Sequence, residues 1–220
     1  MNWTADWHCS TKSMNTCDGV RWSIAPLTDC SWESAHAMLP LVSEQRRAQA
    51  LQYKHAFGQY ACLKSYLLLQ DLLREHYGIE GDLLFTYNEY GKPELGMNAA
   101  NGMGYAIKPH FSISHCKQAI AVAVADTPIG IDIETLRHPS ESLIEKTMSA
   151  QEQQMIAAAV LPDAMFTALW TKKEAILKCK GTGIIDDLQS VLSPTHIGED
   201  YQIETFYEPQ IYSVCVKKSN

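Results

Sequence analysis

Two carboxylates, Asp132 and Glu134, are set two residues apart in the run Pro128-Ile129-Gly130-Ile131-Asp132-Ile133-Glu134. On a strand, residues i and i+2 share a face about 7 Å apart along the backbone. Asp132 and Glu134 then point to one side, and Ile129, Ile131 and Ile133 to a core. Further on comes Trp170-Thr171-Lys172-Lys173-Glu174-Ala175-Ile176-Leu177-Lys178, where helical spacing lines up Trp170, Glu174 and Lys178. Three carboxylates and an ammonium group brought together can hold one divalent cation and one phosphate, because hard cations take oxygen ligands from carboxylates, phosphate and water. In isolation each half of this set has a plainer reading. An Asp-x-Glu pair is usually a solvated strand face, and an i,i+4 Glu–Lys pair is usually a surface pair worth a few tenths of a kcal/mol. The apolar setting of the strand raises the chemical reading of its carboxylates, and Trp170 argues that its helix face is not simply solvated, although a Trp there also fits a core position.

Other residues can serve an anion. His115 ends the alternating run Phe111-Ser112-Ile113-Ser114-His115, as a structural histidine or a phosphate donor. Gly91-Lys92-Pro93 is a turn whose Lys is either solvated or a phosphate contact, and Arg46, Arg47, Lys54 and Lys64 on helical segments are either a solvated face or anion contacts. His115 and Cys116 are adjacent on a strand, point to opposite faces and are rejected as a nucleophilic pair. No Gly-rich phosphate loop is present, so any nucleotide must be held by scattered side chains.

The elements that must position these groups follow from periodicity. Val20 to Ile24 alternates as a first strand. Ser43 is placed as the N-cap of a helix beginning at Glu44, with Gly58 as its interruption. A second helix is expected from Gln59 to Tyr77, with Leu68, Leu69, Leu72 and Leu73 on its apolar face and Gly78 as its stop. Leu83 to Tyr87 reads as a strand, 88–93 as a turn, and 96–109 as an exposed loop rich in Gly, Asn and Ala. Phe111–His115, Ala119–Ala125 and Gly130–Glu134 follow as strands of an antiparallel sheet. Residues 135–148 read as irregular. Ser149-Ala150-Gln151-Glu152 has the form of a capping box that starts a helix. Phe166 to Lys180 is a stronger helix, with Phe166, Leu169, Lys173 and Ile176 on one side and Gly181 at its end. Gln202–Tyr207 and Ile211–Lys217 are closing strands. Residues 1–18 have no clear assignment. There is no sequence repeat, but both halves hold helix and antiparallel strand, dividing near Ala125–Pro128.

The composition is that of a folded protein, 46% hydrophobic and 20% charged, and 220 residues are enough for one large domain or two small ones. The net charge of -7 argues against nucleic acid or an anionic membrane as partner, so a polyanionic ligand needs local cations or a metal. No apolar run is long enough to span a membrane, and the first residues lack the basic start and apolar run of a signal peptide, which sets the expectation of a cytoplasmic protein. Seven scattered cysteines without a Cys-x-x-Cys pair read as reduced thiols rather than as a disulfide framework or zinc site.

Taken in order, Gly91-Lys92-Pro93, Phe111-Ser112-Ile113-Ser114-His115, Pro128–Glu134 and Trp170-Thr171-Lys172-Lys173-Glu174 with Lys178 resemble the 4'-phosphopantetheinyl transferases of the longer, surfactin-synthetase-activator type. The resemblance covers about residues 44–190. It implies an α/β (α+β) fold built as a pseudo-twofold duplication, each half a small antiparallel sheet packed with helices. An N-terminal half (1–125) would carry coenzyme A contacts, and a C-terminal half (126–220) the metal ligands and the catalytic helix. The implied activity is Mg²⁺-dependent (or Mn²⁺-dependent) transfer of the phosphopantetheine arm of coenzyme A, the co-substrate, to a serine of an apo acyl or peptidyl carrier protein, releasing 3',5'-ADP. The implied metal ligands are Asp132, Glu134 and Glu174, and the implied catalytic groups are Glu174, Lys178 and Asp132. The implied coenzyme A contacts are Lys92, Pro93, Ser114, His115 and Lys178, with Arg46, Arg47 and Lys64 as the basic residues of the N-terminal half. A monomer is expected. Two readings from other classes stand beside this one: a non-catalytic module that binds coenzyme A or a carrier protein, and a metal-dependent nucleotide hydrolase.

Overall fold

In the computed structural model the described residues are 12–13, 19–96, 108–183 and 187–219. The strands are β1 (Lys12–Ser13), β2 (Arg21–Pro26), β3 (Phe85–Tyr87), β4 (Pro93–Leu95), β5 (His110–His115), β6 (Ala119–Ala125), β7 (Ile129–Glu134), β8 (Tyr201–Phe206) and β9 (Ile211–Lys217). The helices are α1 (Trp32–Met38), α2 (Glu44–Ala50), α3 (Ala56–Tyr77), α4 (Glu141–Thr147), α5 (Ala150–Ala158), α6 (Pro162–Lys180) and α7 (Pro194–Ile197). This is a mixed α/β fold of small antiparallel sheets packed with helices. One sheet has the order β1-β2-β6-β5, a second is the hairpin β3-β4, and a third has the order β7-β9-β8.

The sequence of β6 explains how the sheets stack. Its alanines and its larger aliphatics alternate, and all seven residues are buried. Ile120, Val122 and Val124 face the leucines of α3 in one core cluster. Ala119, Ala121, Ala123 and Ala125 face Ile129, Ile131 and Ile133 of β7 and Tyr212, Val214 and Val216 of β9 in another. Small side chains on one face let the second sheet approach closely, while the large ones fill the space under the helix. Trp22 of β2 completes the contact, its indole N–H donating to the Tyr212 hydroxyl at 3.4 Å.

Helix boundaries follow their caps. The Ser43 hydroxyl accepts from Arg46 N, as an N-cap should. Ser149 and Glu152 form the expected reciprocal capping box. Gly78 and Gly181 end α3 and α6 in the left-handed region, at φ 62° and 74°. Two local expectations are corrected. Gly58 interrupts nothing: α2 has already ended at Ala50, and Gly58 lies in the first turn of α3, where a Cβ would collide with the Tyr53 ring. Part of the segment 135–148 is helical as α4, started by the Ser140 hydroxyl accepting from Leu143 N. The expected loop 96–109 lies mostly outside the described residues.

Candidate active site

Gly130 is the residue that lets the site form. A methyl group there would run into the Ala175 carbonyl oxygen and the Cys179 amide nitrogen, both backbone atoms of α6. The helix therefore lies directly on β7 at this glycine. Asp132 and Glu134 project from the same face of β7 as Gly130, so they come alongside the helix positions next to the crossing. Lys178 Nζ is 2.6 Å from Asp132 Oδ1. On the far side of α6, Phe166, Leu169, Lys173 and Ile176 are all buried, as the helical spacing predicted.

The other edge of β7 meets β5 through side chains. The Ser112 hydroxyl accepts from Ile131 N at 3.1 Å, and the Ser114 hydroxyl from Ile133 N at 3.4 Å. These two serines take the place of strand carbonyls where two sheets meet edge to edge. Ser114 also donates to Asp132 Oδ1 at 2.8 Å and accepts from Lys178 Nζ at 2.9 Å. Ser114, Asp132 and Lys178 thus form a closed triangle at the junction of β5, β7 and α6.

This triangle is part of the wall of an open cleft of about 560 Å³. The C-terminal half contributes Asp132, Glu134, Trp170, Glu174 and Lys178 to it, and β5 contributes Ser114 and His115. Arg137 lays its guanidinium over the Trp170 ring at 5.0 Å, so that ring is covered rather than free. His115 is exposed and meets the Phe57 ring edge-on at 6.1 Å.

The electrostatics are those of crowded carboxylates. Burial pushes the Glu174 carboxyl above its ordinary range, and Asp132 adds to the shift. Glu134 is raised the same way, by burial and then by Asp132. Asp132 is 5% exposed, and its Oδ2 is buried without a hydrogen-bond partner. Lys178 lies 2.6 Å from Asp132 and Arg137 3.6 Å from Glu134, yet Asp132 Oδ2 stays unpaired and two carboxyls still resist ionisation, so the set has room for further positive charge. Its all-oxygen chemistry fits a hard divalent cation. Among the described residues no three His, Cys, Asp or Glu side chains are already gathered closely enough to enclose a metal ion.

The basic residues expected from the sequence are sorted by the structure. Arg46 is 7% exposed, lines the cleft, and stacks over the Phe85 ring at 4.7 Å and the Tyr66 ring at 5.5 Å. Its Nη1 donates to Cys62 Sγ at 3.4 Å, and its Nε is buried without a partner. Arg47 points elsewhere, with Nε donating to the Leu39 carbonyl at 3.0 Å. Lys64 is buried within α3 and is not among the cleft's described lining residues. Gly91 and Pro93 line the cleft, but Lys92 between them turns inward, to the carbonyls of Lys178 and Ile129. The wall also includes Tyr53, Cys62 and Tyr87, which the sequence did not single out. Only Tyr53 left a signal, through the glycine at position 58 that its ring needs.

Residues 128–219 match the family model described as the 4'-phosphopantetheinyl transferase superfamily. Similarity to individual proteins runs through both halves. The chain is 29% identical over 180 residues to the 4'-phosphopantetheinyl transferase psf-1 of Bacillus pumilus, covering 80% of this chain and 72% of that protein. It is 26% identical over 192 residues to the 4'-phosphopantetheinyl transferase Sfp of Bacillus subtilis (strain 168), covering 86% and 81%. It is 30% identical over 157 residues to another 4'-phosphopantetheinyl transferase of Bacillus subtilis, covering 70% and 66%. The family match spans β7, α6 and β9, the elements that carry Asp132, Glu134, Glu174 and Lys178, and the chain belongs to the 4'-phosphopantetheinyl transferase superfamily.

Proposed function

We propose that this protein transfers the phosphopantetheine arm of coenzyme A to a serine of an apo carrier protein and releases 3',5'-ADP. The observation that carries the reading is the Ser114–Asp132–Lys178 triangle beside Glu134 and Glu174, in a cleft between the two halves that is open to a second protein. In the reaction the carrier serine oxygen attacks the phosphorus bearing the pantetheine arm. A new P–O bond forms, the pyrophosphate P–O bond breaks, and 3',5'-ADP leaves with the electron pair. Lys178 offers positive charge to the pyrophosphate oxygens. Glu174, half-buried in the cleft wall on the same helix face as Lys178, is the group placed to take the serine proton, directly or through water.

Asp132, Glu134 and Glu174 would hold a Mg²⁺ or Mn²⁺ ion, which supplies charge neutralisation and polarisation at the pyrophosphate. The orphaned Asp132 Oδ2 and the raised carboxyls beside it support that assignment. Arg46, His115, Ser114 and Pro93 are the proposed contacts for the rest of coenzyme A. We further propose that the two halves divide near 125–128 as a structural duplication, each a long helix on an antiparallel sheet, and that the protein works as a monomer. The described cysteines are free thiols, which fits the reducing cytoplasm, and among the described residues no helix is long and apolar enough to cross a membrane.

The test is to incubate the protein with coenzyme A, MgCl₂ and a panel of apo acyl and peptidyl carrier proteins. A mass gain of one phosphopantetheine arm on the carrier serine is the expected result. Binding with no mass gain would instead indicate a non-catalytic module, and 3',5'-ADP released with no carrier present would indicate a hydrolase.

A further inference from the structure

The turn 88–93 belongs to the N-terminal half, yet its polar atoms are committed to the C-terminal end of α6. The last carbonyls of a helix have no partner within it and mark the negative end of its dipole. Lys92 Nζ donates to one of them, the Lys178 carbonyl, at 2.5 Å, and to the carbonyl of Ile129, the first residue of β7, at 3.1 Å. Asn88 Nδ2 donates to the Gly181 carbonyl at 2.9 Å. The turn is rigid enough to aim these donors. Asn88 Oδ1 accepts from Tyr90 N at 3.0 Å and Lys92 N at 2.9 Å, and Gly91 takes a φ of 82° that other residues rarely adopt. Burial lowers the Lys92 ammonium's affinity for its proton, as expected for a cation spent inside the protein.

One ammonium therefore ties together the last turn of α6 and the start of β7. These are the two elements whose side chains, Lys178 and Asp132, pair at 2.6 Å. Gly130, one residue after Ile129, lets the helix approach the strand, but a contact without a side chain does not by itself fix where along the strand the helix stops. Lys92 bonds to both backbones and supplies that stop. We propose that Lys92, assisted by Asn88, is a positioning residue. It caps α6 from the opposite half of the molecule and sets Lys178 at its height over Asp132, and its ammonium does not touch coenzyme A. The kinetic part of this proposal rests on the transferase reading; the structural part does not.

Lys92→Met keeps the aliphatic stem and removes the ammonium, and Asn88→Ala removes the donor to Gly181. In hydrogen exchange on the full-length protein, the amides at the end of α6 should exchange on the order of tenfold faster in either variant, with α3 unchanged. In the transfer assay, kcat for Lys92→Met should fall on the order of tenfold while KM for coenzyme A moves less than about twofold. A KM for coenzyme A raised about tenfold at unchanged kcat, with normal exchange at α6, would make Lys92 a ligand contact and overturn the proposal. Unchanged exchange at the end of α6 in both variants would also overturn it. If the wild-type protein modifies no carrier, the transferase reading fails, and the exchange experiment alone decides the role of Lys92.

Discussion

Asp132 gives one oxygen to Lys178 and Ser114 and keeps the other buried without a partner. Glu174 and Glu134 beside it are both held above the ordinary carboxylate range by burial and by Asp132. A carboxyl whose folded pKa exceeds its unfolded one binds its proton more tightly when folded. Its contribution to stability is greatest below the unfolded pKa and is lost as pH rises through the raised value. Glu174→Gln should therefore raise the melting temperature at pH 8 without added metal, by a few degrees (about 2–4 °C per kcal/mol for a chain of this size), and the gain should fade toward pH 4. An equal gain at both pH values would exclude charge repulsion as its cause. MgCl₂ should raise the melting temperature of the wild type more than that of Glu174→Gln. Asp132→Asn keeps the shape of the side chain and removes its charge; transfer to an apo carrier should fall by a factor on the order of a hundred or more, as read by mass spectrometry.

At the scale of elements, the site depends on how α6 sits. Its approach to β7 requires the absence of a side chain at Gly130, because the atoms a Cβ would meet are backbone and cannot rotate away. Gly130→Val should lower the unfolding free energy by the upper end of the ~1–3 kcal/mol typical of overpacking, read as a lower denaturant midpoint, and it should separate Lys178 from Asp132. The rotation of α6 is fixed from behind. Lys173, 1% exposed, places Nζ 2.9 Å from Glu152 Oε2 and 2.7 Å from the Leu188 carbonyl. Glu152 is also the capping-box residue of α5, accepting from Ser149 N at 2.7 Å. Lys173→Met should destabilise the protein by about 3–5 kcal/mol, because it leaves a buried carboxylate without its cation. Lys173→Met with Glu152→Leu should recover most of that loss in equilibrium unfolding, since an apolar pair of similar volume carries no desolvation penalty.

The whole molecule is joined through one shared core. Ala119, Ala121, Ala123 and Ala125 of β6 pack in the same cluster as Ile129, Ile131 and Ile133 of β7 and Tyr212, Val214 and Val216 of β9. The cleft takes its lining from both halves of the sequence, Arg46, Tyr53 and Tyr87 from the first and Trp170, Glu174 and Lys178 from the second. Fragments 1–125 and 126–220, made separately, should each fail to unfold cooperatively in a thermal scan, because each exposes half of that core. Two independent sharp transitions would show that the halves fold alone.

Much of this was legible in the sequence because it depends on local period and local chemistry. Alternation marked β5 and β7, and a short unbroken apolar run marked β6. The Ser149–Glu152 spacing marked the start of α5, and Gly78 and Gly181 marked the ends of the two long helices. The i,i+2 and i,i+4 spacings put Asp132 with Glu134 and Trp170 with Glu174 and Lys178, and the ordered motifs indicated the family. α4 was missed because its start follows a proline-containing segment with little periodicity. Tertiary structure alone decided which basic residues face the cleft. Arg46 and Arg47 are neighbours in sequence, yet helix rotation buries one over Phe85 and Tyr66 beside the cleft and turns the other to the Leu39 carbonyl. Lys92 reads as a solvated turn cation or a phosphate contact until the end of α6, far away in the chain, is brought against it. A cation's partners are fixed by where distant backbone carbonyls and carboxylates come to lie, and no local spacing encodes that.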